Sequence, residues 1–311
     1  MEFPEEVRIR EVGPRDGFQN EPEVIPTAAK VELIEALART GVKRLEVTSF
    51  VRADVIPQLA DAAEVLAAID MPAEVSLSVL IPNERGLDMA LALLAEEAGG
   101  RPAFDEVNVF LSASETHNRK NVNRTIAESM AGLERVLGRA AEAGLRREGV
   151  ISTSFGCPYE GDVPVERVLS IAAALRDAGA QEVGFGDTTG MANPIQVREF
   201  FARAREELPD VELTAHFHNT RGQGLANVLA ALEAGVDSFE SSFGELGGCP
   251  VPAGATGNIA SEDLVSMLHE MGIATGIDLP ALLACSGRAQ AVLGRPLGSH
   301  TLVAGPIDWH R

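Results

Sequence analysis

Eight short runs rich in β-branched residues alternate with longer alanine- and leucine-rich amphipathic stretches along the chain, and this alternation restricts the fold more than any other feature. Side chains alternate faces every second residue in a strand and return to one face after about 3.6 residues in a helix, so the switching period reads as repeated βα units. Strands are predicted over 7–13, 44–50, 74–81, 106–112, 149–156, 181–188, 211–219 and 238–245. Helices are predicted near 27–40, 58–69, 84–97, 124–143, 164–179, 194–207, 222–234 and 262–272. Strands separated by helices pair in parallel, and eight such units are what a closed (β/α)8 TIM barrel needs. A doubly wound open sheet is the competing fold. Its Gly-x-Gly-x-x-Gly turn is missing after the first strand, where Gly13-Pro14-Arg15-Asp16-Gly17 stands instead. The 311 residues, 45% of them hydrophobic, suffice for this barrel as one catalytic domain over 1–276. A helix over 279–293 and a Pro- and Gly-punctuated tail make a C-terminal extension over 277–311, expected to pack on the barrel or on a neighbouring subunit.

The formal net charge of −20 argues against a nucleic-acid partner or an anionic membrane, either of which needs a broad basic face. An anionic substrate must then be met by local positive charge or by a metal. Cys157, Cys249 and Cys285 form no CxxC pair, which fits a reducing compartment. Residues 1–6 lack the basic and apolar regions of a signal peptide, and no apolar run reaches membrane-spanning length, so a cytoplasmic location is expected.

His216-Phe217-His218 closes the seventh predicted strand. Residues two apart on a strand face the same way, so both imidazoles can grip one metal ion. A pair of surface or core histidines is the alternative. Barrel active sites gather at the C-terminal ends of the strands, and polar residues fall there repeatedly. Arg15 and Asp16 follow strand one, Glu46 lies in strand two, Asp187 ends strand six, and the glycine-rich stretch 247–258 after strand eight holds Cys249 and Asn258. Singly, Glu46 reads equally as a buried ion-pair partner, Asp187 as a strand-end cap, Cys249 as an inert small hydrophobe and Asn258 as a turn residue. Together, carboxylate, imidazole and amide oxygen suit a divalent Mg or Mn, with Zn possible. Such a metal acts as a Lewis acid, and Arg15 adds fixed positive charge where an enolate or alkoxide develops.

The strings Glu11-Val12-Gly13-Pro14-Arg15-Asp16-Gly17, Thr48-Ser49-Phe50, Phe155-Gly156-Cys157-Pro158-Tyr159-Glu160-Gly161, Gly186-Asp187-Thr188-Thr189-Gly190 and His216-Phe217-His218-Asn219, with the 247–258 loop, resemble the 3-hydroxy-3-methylglutaryl-CoA lyase family from residue 7 to about 272. The resemblance implies that Asp16, His216, His218 and Asn258 are metal ligands and that Arg15 stabilises the enolate oxygen. It implies that Cys249 is the catalytic thiol, that His216 also moves a proton, and that Glu46 and Asp187 are acid/base or hydrogen-bonding residues. The implied reaction cleaves 3-hydroxy-3-methylglutaryl-CoA to acetyl-CoA and acetoacetate. Related thioesters, citramalyl-CoA or a longer 3-substituted glutaryl-CoA, are alternatives. So is a Claisen-condensing synthase of the isopropylmalate or homocitrate type, although little chain remains after the barrel for such an enzyme's usual extension. A non-catalytic metal-binding barrel would leave Arg15, Glu46 and Cys249 unexplained.

The basic stretch 117–124, with Arg119, Lys120 and Asn121, and the lone Tyr159 are the candidate contacts for the CoA moiety; a solvated loop before a helix and a structural tyrosine are the alternatives. A homo-oligomer, dimer or tetramer, is expected. Three stretches depart from the family pattern. Asn219-Thr220-Arg221 stands where Asp-Thr-Tyr is usual, Phe217 is larger than the usual residue, and Ser114 to Asn118 replaces a more apolar stretch.

Overall fold

The computed structural model describes residues 3–96, 102–248 and 257–309. Eight parallel strands close into a barrel in sequence order: β1 (Arg8–Glu11), β2 (Arg44–Ser49), β3 (Ser76–Leu80), β4 (Glu106–Ser112), β5 (Arg146–Ser152), β6 (Glu182–Asp187), β7 (Glu212–Phe217) and β8 (Ser238–Ser241). β8 returns to β1 in register from Arg8↔Ser238 to Glu11↔Ser241, which leaves no free sheet edge. The TIM barrel expected from the sequence is the observed fold.

The helices are α1 (Thr27–Ala38), α2 (Ala62–Ala68), α3 (Glu84–Glu96), α4 (Glu115–Val122), α5 (Ile126–Glu142), α6 (Val165–Asp177), α7 (Pro194–Glu207), α8 (Gly224–Glu233), α9 (Ser261–Glu270), α10 (Leu279–Leu293) and α11 (His300–Ala304). The first, fifth and eighth strands end earlier than the sequence reading expects, at Glu11, Ser152 and Ser241, and two further stretches differ from it. β5 starts three residues earlier than expected, because Arg146, Arg147 and Glu148 conceal a strand whose ladder with β4 begins at Glu106↔Arg146. The basic stretch after β4 is helix α4 rather than a loop. Ser114 Oγ caps it by accepting the His117 N–H at 3.1 Å, and Asn123 ends it in a left-handed conformation with φ 54°.

The barrel interior is charged. Arg10 on β1, 1% exposed, donates to Glu148 on β5 and lies 3.0 Å from Glu106 on β4 and 3.0 Å from Glu240 on β8. Arg44 on β2 pairs with Glu106 at 2.9 Å and with Glu182. Alternation then turns Leu45, Val47, Leu77, Val79, Val107 and Val109 outward, where they are buried against the helices. Phe155, Phe185, Phe200, Phe201 and Phe217 form an aromatic cluster between the sheet and α7, and burying each ring contributes roughly 1.5–3 kcal/mol.

The C-terminal residues share this core. Leu282, Cys285 and Ala289 of α10 are buried in the same apolar cluster, and the Asp278 N–H reaches the Thr40 carbonyl at 2.7 Å. Further on, Leu297 is buried against Gly244, whose carbonyl accepts the Gly298 N–H at 2.9 Å. No helix among the described residues is long and apolar enough to cross a membrane.

Candidate active site

Beyond β1 the chain makes a single π-helical turn over Gly13–Gly17, an arrangement frequent at functional sites, and this turn aims Arg15 and Asp16 over the barrel mouth. Glu11 pins both sides of the mouth, since its carboxylate accepts the Gly13 N–H at 2.7 Å and the Phe243 N–H at 3.0 Å. Glycine is required at position 13 because a Cβ there would sit 2.7 Å from Glu11 Oε1 and inside the Phe243 ring.

His216 on β7 and His218 immediately after it lie on one face, with ring centroids 5.1 Å apart. Asp16, His216 and His218 offer ligand atoms that all lie within 4.8 Å of one another. Asn258 is brought alongside by a bridge to His218, and it donates Nδ2–H to Asp16 Oδ2 at 2.8 Å. Its Oδ1 is buried with no hydrogen-bond partner among the described residues. A buried amide oxygen without a donor, beside two imidazoles and a carboxylate, fits a divalent cation. Space is kept by Gly247, at φ 101°, where a Cβ would stand 2.7 Å from Asn258 Nδ2.

Arg15 bridges the site's acids, donating from Nε to Glu46 Oε2 at 2.6 Å and from Nη1 to Asp16 Oδ1 at 2.7 Å. Burial opposes the Arg15 charge, but Glu46 and Asp16 outweigh it and raise its pKa further. Burial likewise opposes ionisation of Asp16, and Arg15 with the two imidazoles holds its pKa below the usual carboxylate range. Glu46 is fully buried, and this raises its pKa although Arg15 pulls the other way; Asn108 donates to its second oxygen. Glu240 Oε2 meets His216 Nδ1 at 2.8 Å. Burial would raise the Glu240 pKa, but His216, Arg10 and Arg15 hold it at about 2. Burial disfavours the His216 imidazolium, yet Glu240 and Asp16 raise its pKa.

Asp187 ends β6 one register step from His216. One oxygen caps the following turn, taking the Met191 and Ala192 N–H groups at 2.7 and 3.1 Å, while the other is buried without a partner among the described residues. Burial pushes its pKa up to about 6 against those amide bonds. Farther round the rim, Lys120 Nζ lies 4.8 Å from the centre of the Tyr159 ring. Arg119 is exposed and pairs with Glu115 at 3.1 Å, and Asn121 is exposed beside it. Cys249 lies outside the described residues.

A family profile described as HMGL-like matches residues 6–287. The chain belongs to the HMGL-like family. It is 45% identical over 302 residues to hydroxymethylglutaryl-CoA lyase YngG of Bacillus subtilis, covering 97% of this chain and 98% of that one. It is 43% identical to (R)-citramalyl-CoA lyase of Chloroflexus aurantiacus, covering 97% and 96%. A solved HMG-CoA lyase of Acinetobacter baumannii, in complex with coenzyme A and 3-methylmalate, superposes with a TM-score of 0.91 at 40% identity, covering 100% and 99%.

Within this family frame two departures find their place. Phe217 faces the helix layer, with Phe155 5.9 Å away, so its size does not narrow the mouth. Arg221 donates to the carbonyls of Thr189 and Gly190 at 2.8 and 2.7 Å, tying the chain after β7 to the turn after β6. Sequence reasoning missed Asn108, Glu240 and Gln19, the last donating to Asp16 Oδ1 at 2.9 Å. The available signal was the alternation of Glu106 and Asn108 with Val107 and Val109 on β4, and of Ser238 and Glu240 with Phe239 on β8.

Proposed function

We propose that this protein is a carbon-carbon lyase that cleaves 3-hydroxy-3-methylglutaryl-CoA to acetyl-CoA and acetoacetate. The observation that carries the reading is the convergence of Asp16, His216 and His218 with the Arg15–Glu46 pair at one barrel mouth. A divalent cation, Mg or Mn, held by these three side chains and Asn258 Oδ1 would supply Lewis-acid polarisation of a substrate oxygen. Removal of the C3 hydroxyl proton lets the C2–C3 bond break, leaving acetoacetate and the thioester enolate of acetyl-CoA. Arg15 presents its guanidinium where negative charge grows on the enolate oxygen, and Glu46 fixes that guanidinium in place. Asp187, whose pKa is pushed up to about 6, suits proton exchange, and His216 stands one register step away as a second candidate for moving a proton. Cys249 returns a proton to the enolate carbon, completing acetyl-CoA. Tyr159, Lys120, Arg119 and Asn121 receive the CoA moiety, and the CoA-bound structure of the Acinetobacter relative supports an acyl-CoA substrate. The protein works as a cytoplasmic dimer or tetramer.

A second reading, cleavage of citramalyl-CoA, is favoured by the Chloroflexus relative named for that thioester. One methylene in a pocket is worth about 1–3 kcal/mol, so the two substrates are separated by kinetics. Comparing kcat/KM for the two thioesters and for a longer 3-substituted glutaryl-CoA decides between them. The assignment holds if hydroxymethylglutaryl-CoA is preferred, and it fails if another is preferred by more than about tenfold.

A further inference from the structure

Glu240 on β8 is buried below the mouth and is held on both of its oxygens. Its two oxygens serve two neighbouring strands: Oε2 meets His216 Nδ1 on β7 at 2.8 Å, and Oε1 accepts from Arg10 Nη1 on β1 at 3.0 Å. Both partners are its register neighbours, His216↔Glu240 and Arg10↔Glu240, so the strand pairing itself sets the contacts. Arg10 is in turn fixed by Glu148, Glu106 and Glu182.

We propose that Glu240 is a positioning residue for the metal site, binding the Nδ1–H of His216 so that the lone pair of Nε2 is left for the cation. This rests on the metal reading of Asp16, His216 and His218 given above. A carboxylate behind a ligating histidine fixes its tautomer and increases its basicity. The buried Arg10 decides which way Glu240 works. A guanidinium only donates, so whatever stands at position 240 must turn an acceptor toward Arg10. Glutamate has a second acceptor left for His216; glutamine does not. In Glu240→Gln the amide oxygen faces Arg10 and the NH2 donates to Nδ1, which drives the imidazole proton onto Nε2, the atom the cation needs.

The test is made without substrate. Mn²⁺ affinity is measured by electron paramagnetic resonance on metal-stripped wild type, Glu240→Gln and Glu106→Gln, and the His216 tautomer by side-chain 15N NMR at alkaline pH. The expected result is Nδ1–H in the wild type, Nε2–H in Glu240→Gln, and a ten- to hundredfold weaker Mn²⁺ affinity in that variant, the usual worth of such a partner. Glu106→Gln, which loosens Arg10 without touching His216, keeps the wild-type tautomer and affinity. Wild-type protein with the proton on Nε2 overturns the proposal even if Glu240→Gln fails to fold. So does unchanged Mn²⁺ affinity in a folded Glu240→Gln. If the wild type binds no Mn²⁺ at all, the metal reading itself is what falls.

Discussion

Asn258 Nδ2 donates to Asp16 Oδ2 at 2.8 Å, joining two residues 242 positions apart at the seam where β8 closes on β1. That hydrogen bond presents Asp16 to the histidine pair and leaves the Asn258 oxygen unpartnered among the described residues. Replacement by alanine removes the donor and the oxygen together. Asn258→Ala is expected to weaken divalent-metal binding by at least about tenfold, since it removes one of the proposed oxygen ligands and the contact that orients Asp16. Calorimetric titration with Mn²⁺ checks it, and unchanged affinity would place Asn258 outside the site.

Arg15→Lys is not a conservative change. The guanidinium reaches Glu46 from Nε and Asp16 from Nη1, and a lysine ammonium on a flexible stem reproduces neither the fork nor its direction. Turnover is expected to fall about tenfold to a thousandfold, the range for removal of one preorganised oxyanion donor. Steady-state kinetics reads the outcome. Near-normal kcat in the lysine variant would assign Arg15 to the fold alone.

The three cysteines separate by role. Cys249→Ser is expected to lower kcat about a hundredfold to ten-thousandfold, the worth of a positioned acid or base, with a smaller change in KM. Cys157 is buried with its Sγ 3.0 Å from Ser114 Oγ, and burial pushes the Cys285 thiol up to about 12. Both are fillers of the core. Their alanine variants should keep wild-type turnover, and loss of kcat in either one would contradict the assignment to Cys249.

Acid should unfold the barrel from inside. Burial works to raise the pKa values of Glu106 and Glu182, but Arg10 and Arg44 outweigh it and hold both below the ordinary range. Carboxyls with depressed folded-state pKa values contribute stability that is complete above the unfolded value of about 4.3 and is lost as pH falls through the folded values. Glu182→Gln should cost about 3 kcal/mol at neutral pH, because it breaks a buried ion pair. It should also flatten the acid limb. Urea unfolding at pH 7 and pH 4 measures both effects, and an equally steep acid loss in the variant would remove Glu182 from the account.

The fold was legible because helix and strand periods alternate cleanly, and the meeting of Asp16, His216 and His218 because they fall at strand ends or in the turn beyond them. The charged barrel interior was not legible. Arg146 and Glu148 look like surface residues in sequence, yet they are strand residues whose charges are met by Glu182, Glu212 and Arg10. Glu240 was hidden for the same reason, since its partners are set by strand register rather than sequence proximity. Helix α4 was missed because its polar composition resembles a loop; Ser114 and Asn123 at its ends were the readable signal.

The most direct test of the central claim is release of acetyl-CoA and acetoacetate from 3-hydroxy-3-methylglutaryl-CoA, measured for wild type before and after chelation, after Mg²⁺ or Mn²⁺ is restored, and for His218→Ala. The account predicts equal amounts of the two products, loss of activity on chelation, recovery on adding metal, and no recovery in a folded His218→Ala. Full activity in the metal-stripped wild type, or in His218→Ala, would contradict it.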